Sequence, residues 1–197
     1  LSEPDLPDFY NDLDLTLRAA WDLLGRGAKD RKAPAHTPVL ATMRDGRPQV
    51  RTVVLRGCDR ETGRLRFHTD QRSHKVAEIE ADPAGAVHVY DAKQKVQLRL
   101  DCQLSVHIGD DVAREAWAAT RDFSRICYQV MQGPGEAVSD PRAVPFSADD
   151  SNDGWDHFAV ISALVTRMEW LYLAHQGHRR AEFVRQDGAW QSRWLVP

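Results

Sequence analysis

Cysteine is scarce in this chain of 197 residues: Cys58, Cys102 and Cys127 are all it has. An odd number, with no CxxC or Cys/His spacing, excludes a disulfide framework and a thiolate metal site, and fits a reducing, cytoplasmic setting. Long apolar runs are missing as well, so no segment approaches the roughly 20 residues of a membrane-spanning helix, and no secretory start is seen. Neither sign of charge dominates: 26 Lys and Arg against 29 Asp and Glu leave a net charge of -3. That balance supplies no overall basic field for nucleic acid or an anionic membrane. No Ser/His/Asp or Cys/His constellation for nucleophilic catalysis is present. Among the eight histidines, His175 and His178 stand three apart in a strand-and-turn segment, without the carboxylate or thiolate that would complete a metal set. The chain opens on Leu1, so a preceding segment of the gene product is expected.

What is present is a succession of short patterned segments. Asp8 to Leu24 reads as an amphipathic helix, with Leu13, Leu17, Ala20, Trp21 and Leu24 at helical spacing and Gly25 and Gly27 ending it. Strands are expected at Thr37 to Met43 and Pro48 to Arg56, joined by an Asp45-Gly46 hairpin, and again at Leu65 to Thr69 and Ala86 to Tyr90. A short helix fits Ser73 to Ala81. From Val96 to Ile108 every even position is apolar and every odd one polar, which predicts a long antiparallel strand with one wet face. Asp110 or Asp111 caps a helix reaching Thr120. Gly133 to Gly154 reads as a long loop. Phe158 to Tyr172, Arg179 to Arg185 and Trp190 to Leu195 supply the last strands, with Asp187-Gly188 as a turn. Six to eight antiparallel strands, few helices and no βαβ repeat predict a mainly β fold, a barrel or sandwich with peripheral helices. The length suits one domain over residues 1–197.

Chemistry concentrates between Gln49 and Lys75. Thr52, Val53, Val54 and Leu55 form a β-branched-rich run between Arg51 and Arg56; a turn-rich break and a second strand lead to His68 and Thr69, and then to Ser73, His74 and Lys75 at a helix start. Arg51, Thr69, Ser73 and Lys75 would thereby meet at one end of a hairpin. A forked guanidinium, an ammonium, a hydroxyl and helix-start amides suit a dianionic phosphate. Surface charges on strand edges are the plainer explanation of the same arginines.

The pattern R-x-V-x-L-[RK], then F-x-T, then S-x-K resembles the FMN-binding core of the pyridoxamine 5′-phosphate oxidase family, from about Pro38 onward. The resemblance implies an FMN-binding split β-barrel, a homodimer with FMN between the subunits, and a small-molecule substrate, with neither nucleic acid nor membrane as partner. It assigns Arg51 to Arg56, His68, Thr69, Ser73, His74 and Lys75 to the FMN phosphate and ribityl chain, and Gln97, Trp170 and Arg180 to the flavin ring. It assigns Arg56, Trp117, Arg121 and His178 to the substrate, with Ser124 or Arg125 near a serine position. Trp117 stands where the family has tyrosine, and Gln176 where it has arginine, so the chain looks like a divergent branch. An FMN-dependent oxidoreductase is implied; a non-enzymatic flavin carrier or sensor, or a barrel for haem or a deazaflavin, remain alternatives.

Overall fold

The computed structural model describes residues 6–144 and 154–197. Nine strands form one antiparallel sheet: β1 (Val39–Arg44), β2 (Arg47–Thr52), β3 (Leu55–Asp59), β4 (Arg64–Asp70), β5 (Ala84–Asp91), β6 (Val96–His107), β7 (Phe158–Tyr172), β8 (Arg179–Gln186) and β9 (Ala189–Leu195). Seven run in the order β2-β1-β5-β6-β7-β4-β3, and β8 and β9 extend from β7. The main helices are α1 (Leu13–Lys29), α2 (His74–Ala81), α3 (Asp111–Ala118) and the single turn α4 (Asp122–Arg125).

The strand expected over Pro48 to Arg56 is two strands, and this brings the count to nine. β2 and β3 lie at opposite ends of the seven-strand path, yet only Val53 and Val54 separate them. Three peptide links reach at most about 11 Å, so the path must curl until its ends nearly meet. The run thus closes a barrel. Val53 crosses the gap with its amide bonded to the Pro38 carbonyl at 3.0 Å.

The first helix also departs from expectation. A 3-10 turn occupies Asp8–Asn11, and Asp12 then caps α1 by accepting from the Leu15 amide at 2.9 Å. The helix runs through Gly25 and Gly27 to Lys29. Gly27 does not terminate it; a Cβ there would sit 2.5 Å from the Ala35 carbonyl carbon and oxygen. Glycine lets the helix touch the chain that returns beneath it.

The alternation in β6 holds: Val96, Leu98, Leu100, Cys102 and Leu104 are buried while Arg99, Asp101, Gln103 and Ser105 are exposed. These even positions pack with Leu40, Phe67, Val87, Ile161, Phe183 and the α1 residues Trp21 and Leu24. Fully burying such side chains stabilises by about 1.5–3 kcal/mol each. In β7 the phase changes midway. Asp101 pairs Arg167 and Cys102 pairs Val165, leaving Thr166 as a bulge. Ile161, Ala163 and Val165 face the core before it, Met168 and Trp170 after it. Phe158 and Val160 face the other way, into a smaller cluster with α3 residues Ala113, Ala116 and Trp117. The turns Asp45-Gly46 and Asp187-Gly188 both have positive φ at both residues, the geometry that tight hairpins require. Of the long loop expected at 133–154, residues 145–153 lie outside the described residues.

Candidate functional site

The turn from β4 into α2 is held from below. The Arg72 guanidinium forks onto the Asp70 carboxylate at 3.0 and 2.7 Å and donates to the Val130 and Met131 carbonyls at 2.9 Å. Ser73 is the N-cap of α2, but its hydroxyl makes no capping bond; it lies 3.2 Å from Thr69 Oγ1 instead. Lys75 Nζ donates to the same Thr69 oxygen at 3.1 Å. Arg51 reaches across from β2, donating to Thr42 Oγ1 at 2.5 Å and to Glu78 Oε2 at 2.7 Å. The four residues expected to converge therefore do so, and Thr42 and Glu78 join them.

Charge in this cradle is unbalanced. Arg51 has a carboxylate partner, and Lys75 has only a hydroxyl among the described residues. Burial, and after it the charge of Arg51, hold the Lys75 ammonium below the usual lysine range. Burial alone would raise the Glu78 carboxyl, but bonds from Thr42 and Arg51 overcome it and hold it below the usual carboxylate range. Added to these are the His74 and Lys75 amides at the start of α2, which have no partners within the helix, whereas the Val76 amide already donates to the Ser73 carbonyl at 2.9 Å. A guanidinium, an ammonium, two hydroxyls and helix-start amides form a donor set that fits a phosphate dianion. His74 is exposed at the rim, where a Cβ on Gly135 would come within 3.1 Å of its Nε2. Thr52 is exposed and Val53 and Val54 half-buried, whereas Leu55 is wholly buried in the core.

A second group of residues lies on the wet face of β6, β7 and β8. Gln97 pairs Leu171, which pairs Arg180, so the three share one row across the sheet. Arg180 donates to Glu169 Oε1 at 2.9 Å, and Arg99 and Arg167 approach the same carboxylate at 3.3 and 3.1 Å. Glu169 is 4% exposed; burial opposes its charge, and Arg180 and Arg99 outweigh it, holding the carboxyl below its usual range. Trp170 is not part of this row. The Thr166 bulge turns it into the core, where it is 1% exposed and meets Phe9 edge-on at 5.2 Å. A ring on the Gln97–Arg180 face cannot rest on the Trp170 indole, and that is where the structure departs from the expected trio.

The expected substrate residues separate too. Arg56, His68, Arg121 and Ser124 line one cavity of about 250 Å³. Of Ser124 and Arg125 only Ser124 lines it: Arg125 is engaged over the Trp117 ring at 4.7 Å and donates to the Trp117 carbonyl at 2.8 Å. Trp117 itself is 8% exposed and packs on Tyr128 and Phe158, so it forms the floor of the neighbouring cluster and does not line the cavity. His178 is exposed in the segment between β7 and β8 and does not line it either. His68 and Thr69, consecutive in β4, point to opposite faces of the strand. Burial first, then Arg56 and Arg66, push the His68 imidazole down to about 3. Thr42, Glu78 and Arg66 escaped sequence reasoning. Only Arg66 left a trace there, since it alternates with Arg64 and His68 on the polar side of β4.

The chain has recognisable relatives among known proteins. Residues 18–108 match the model for the FMN-binding domain of pyridoxamine 5′-phosphate oxidase. The chain is 29% identical over 164 residues to the pyridoxine/pyridoxamine 5′-phosphate oxidase of Chromobacterium violaceum, covering 78% of this chain and 74% of that protein. It is also 29% identical to that of Hyphomonas neptunium, covering 78% and 73%. In fold it is similar to a pyridoxamine 5′-phosphate oxidase-related FMN-binding protein from Nostoc punctiforme, with a TM-score of 0.72 at 24% identity over 98% and 99% of the two chains. PhzG of Burkholderia lata, solved with tetrahydrophenazine-1-carboxylic acid, gives 0.71 at 19% identity over the whole of both chains. Over residues 18–108 the chain thus matches the FMN-binding domain of the pyridoxamine 5′-phosphate oxidase family, and in fold it is similar to that family's split barrels.

Proposed function

We propose that this chain, as one domain of a homodimer, binds FMN and works as a flavin-dependent oxidoreductase on a small phosphorylated substrate. The observation that carries the reading is the cradle at the start of α2, where Lys75 lies beside Arg51 without an ion pair of its own among the described residues. Such an excess of buried positive charge is costly in the free protein and is relieved by a bound phosphate. Bound there, FMN supplies a hydride acceptor and a route for electrons to oxygen or another acceptor.

The protein's own part is placement and electrostatics. Arg51, Ser73 and Lys75 would hold the cofactor's phosphate. Gln97 and Arg180 offer an amide and a guanidinium in one row, and a guanidinium there stabilises negative charge on a reduced ring. Glu169 fixes the Arg180 fork and trims its field. Arg56 and Arg121 would take the substrate's phosphate while His68, neutral in its buried setting, offers a nitrogen without adding charge. The cradle and the Gln97–Arg180 row sit on separate parts of one chain, and a second copy that brings one chain's row to the other's cradle would complete the site. Three cysteines left as thiols fit a cytoplasmic location.

Titration of apo-protein with FMN and with riboflavin tests this reading. Each charge-assisted bond is worth roughly 1.5–3 kcal/mol, so FMN should bind at least about tenfold tighter per bond. Equal affinities would remove the phosphate cradle from the reading. Light scattering on the FMN-loaded protein should report a dimer, and a monomer saturated with FMN would end the shared-site proposal.

A further inference from the structure

The cavity holding Arg56 and Arg121 contains more positive charge than one phosphate requires. Lys29 at the end of α1 and Arg31 just beyond it also line it, as does Arg66 of β4. None of these five cations makes an ion pair among the described residues, and no carboxylate lines the cavity. Elsewhere the chain pairs its arginines readily: Arg99, Arg167, Arg180 and Arg193 share just two buried carboxylates. In a protein whose net charge is -3, five unpaired cations around one cavity of about 250 Å³ repel one another with nothing to offset them.

Two polar atoms of lining residues are unsatisfied. Arg66 Nε and His68 Nε2 are buried without a hydrogen-bond partner among the described residues. His36 is oriented by its Nδ1, which donates to the Gly27 carbonyl at 2.7 Å; in the neutral ring this leaves Nε2 an acceptor, so the ring lines the wall without binding an anion. The close approach of Gly27 to Ala35 is what brings the end of α1 and the 34–36 turn to this wall.

We propose that the cavity binds a substrate bearing two anionic groups, the second one held by Lys29 and Arg31 beside the pair that takes the phosphate. The inference rests on the reading of Arg56 and Arg121 as that phosphate pair. The substrate class is then a phosphorylated acid or a molecule with two phosphates a few ångströms apart; both present the same chemistry to a guanidinium and an ammonium.

Calorimetry on the FMN-loaded protein, in which the cradle is filled, tests it with inorganic phosphate, phosphoglycolate and pyrophosphate. Both two-group probes should bind at least about tenfold tighter than phosphate. A preference for phosphoglycolate identifies a carboxylate as the second group, and a preference for pyrophosphate a second phosphate. In the double variant Lys29→Ala/Arg31→Ala the advantage should vanish while phosphate affinity stays within about twofold. The exposed pair Arg47→Ala/Lys93→Ala, remote from the cavity, removes the same charge and should leave the advantage intact. Equal binding of all three probes, or equal loss in both double variants, would overturn the second subsite while leaving the phosphate pair standing. Failure of phosphate and both two-group probes to bind a protein that still holds FMN would remove the phosphate pair, and this inference with it.

Discussion

Replacing Lys75 by Met separates what the cradle does for folding from what it does for binding. The stem length is kept and the ammonium lost. In the free protein that ammonium is disfavoured by burial and by Arg51, and its one bond runs to the Thr69 hydroxyl at 3.1 Å. Removing it should leave the melting temperature of apo-protein unchanged or slightly raised. FMN should lose one charge-assisted bond, roughly 1.5–3 kcal/mol, which is about ten- to more than a hundredfold in affinity. Riboflavin, which has no phosphate, should bind as before. There is a pH signature as well. With its folded value lowered from the ordinary 10.5, Lys75 holds its proton less tightly folded than unfolded. The stability of the free protein should therefore climb as pH rises through the window below 10.5, and Lys75→Met should flatten that climb. Fluorescence titrations with both flavins and melting curves from pH 7 to 10.5 read all of this. A variant that melts well below the parent and loses both flavins equally would refute the reasoning and make Lys75 a structural residue.

Gly27→Ala should destabilise by about 2 kcal/mol or more, because its Cβ meets the Ala35 backbone at 2.5 Å; Gly25→Ala, with nothing within 4 Å, should stabilise by about 0.5–1 kcal/mol, and denaturant melts of the two compare them directly. His68, at about 3 against an ordinary 6.5, takes up a proton more readily unfolded, so it contributes stability that is present above pH 6.5 and lost as pH falls towards 3; His68→Gln should reduce that loss, and its imidazole NMR signals should stay constant between pH 5 and 8. Turnover of pyridoxamine 5′-phosphate should be weak, since Gln176 and Trp117 lack the guanidinium and hydroxyl that the family pattern carries. Losing one charged and one neutral bond removes roughly 2–4 kcal/mol, or about thirty- to a thousandfold in kcat/KM. Gln176→Arg should restore part of it, and full-rate oxidation by the unaltered protein would dismiss this explanation.

Much of the fold is legible in the sequence where a local rule acts alone. The alternation of β6 and the two Asp-Gly turns are of this kind, and so is the approach of Thr69, Ser73 and Lys75, which fall within one strand end and a helix start; Arg51 reaches them from β2 only because the barrel closes. What escapes is set by partners distant in the chain. Val53 and Val54 have strong strand propensity, yet they bridge two strands, because barrel closure demands a crossing at that point. Gly27 looks like a helix terminator and is a contact instead. Trp170 faces the core because one bulged residue, Thr166, shifts the phase of a strand that is apolar at most positions on both faces, so its sequence gives no parity to read. Glu78 and Thr42, which complete the Arg51 site, come from elements whose pairing only the folded chain reveals.

The central place of β7 has a consequence for the chain's birth. It pairs with β6 on one side and β4 on the other, from Val96 opposite Tyr172 to Arg64 opposite Leu164. Until a ribosome has passed Tyr172, the emerging polypeptide holds two partial sheets whose facing borders, β4 and β6, have unpaired backbone groups. At about 5–20 residues per second that interval lasts for seconds. Any nascent chain stalled before Phe158 would present two sticky borders at once, and a second stalled copy could pair with either.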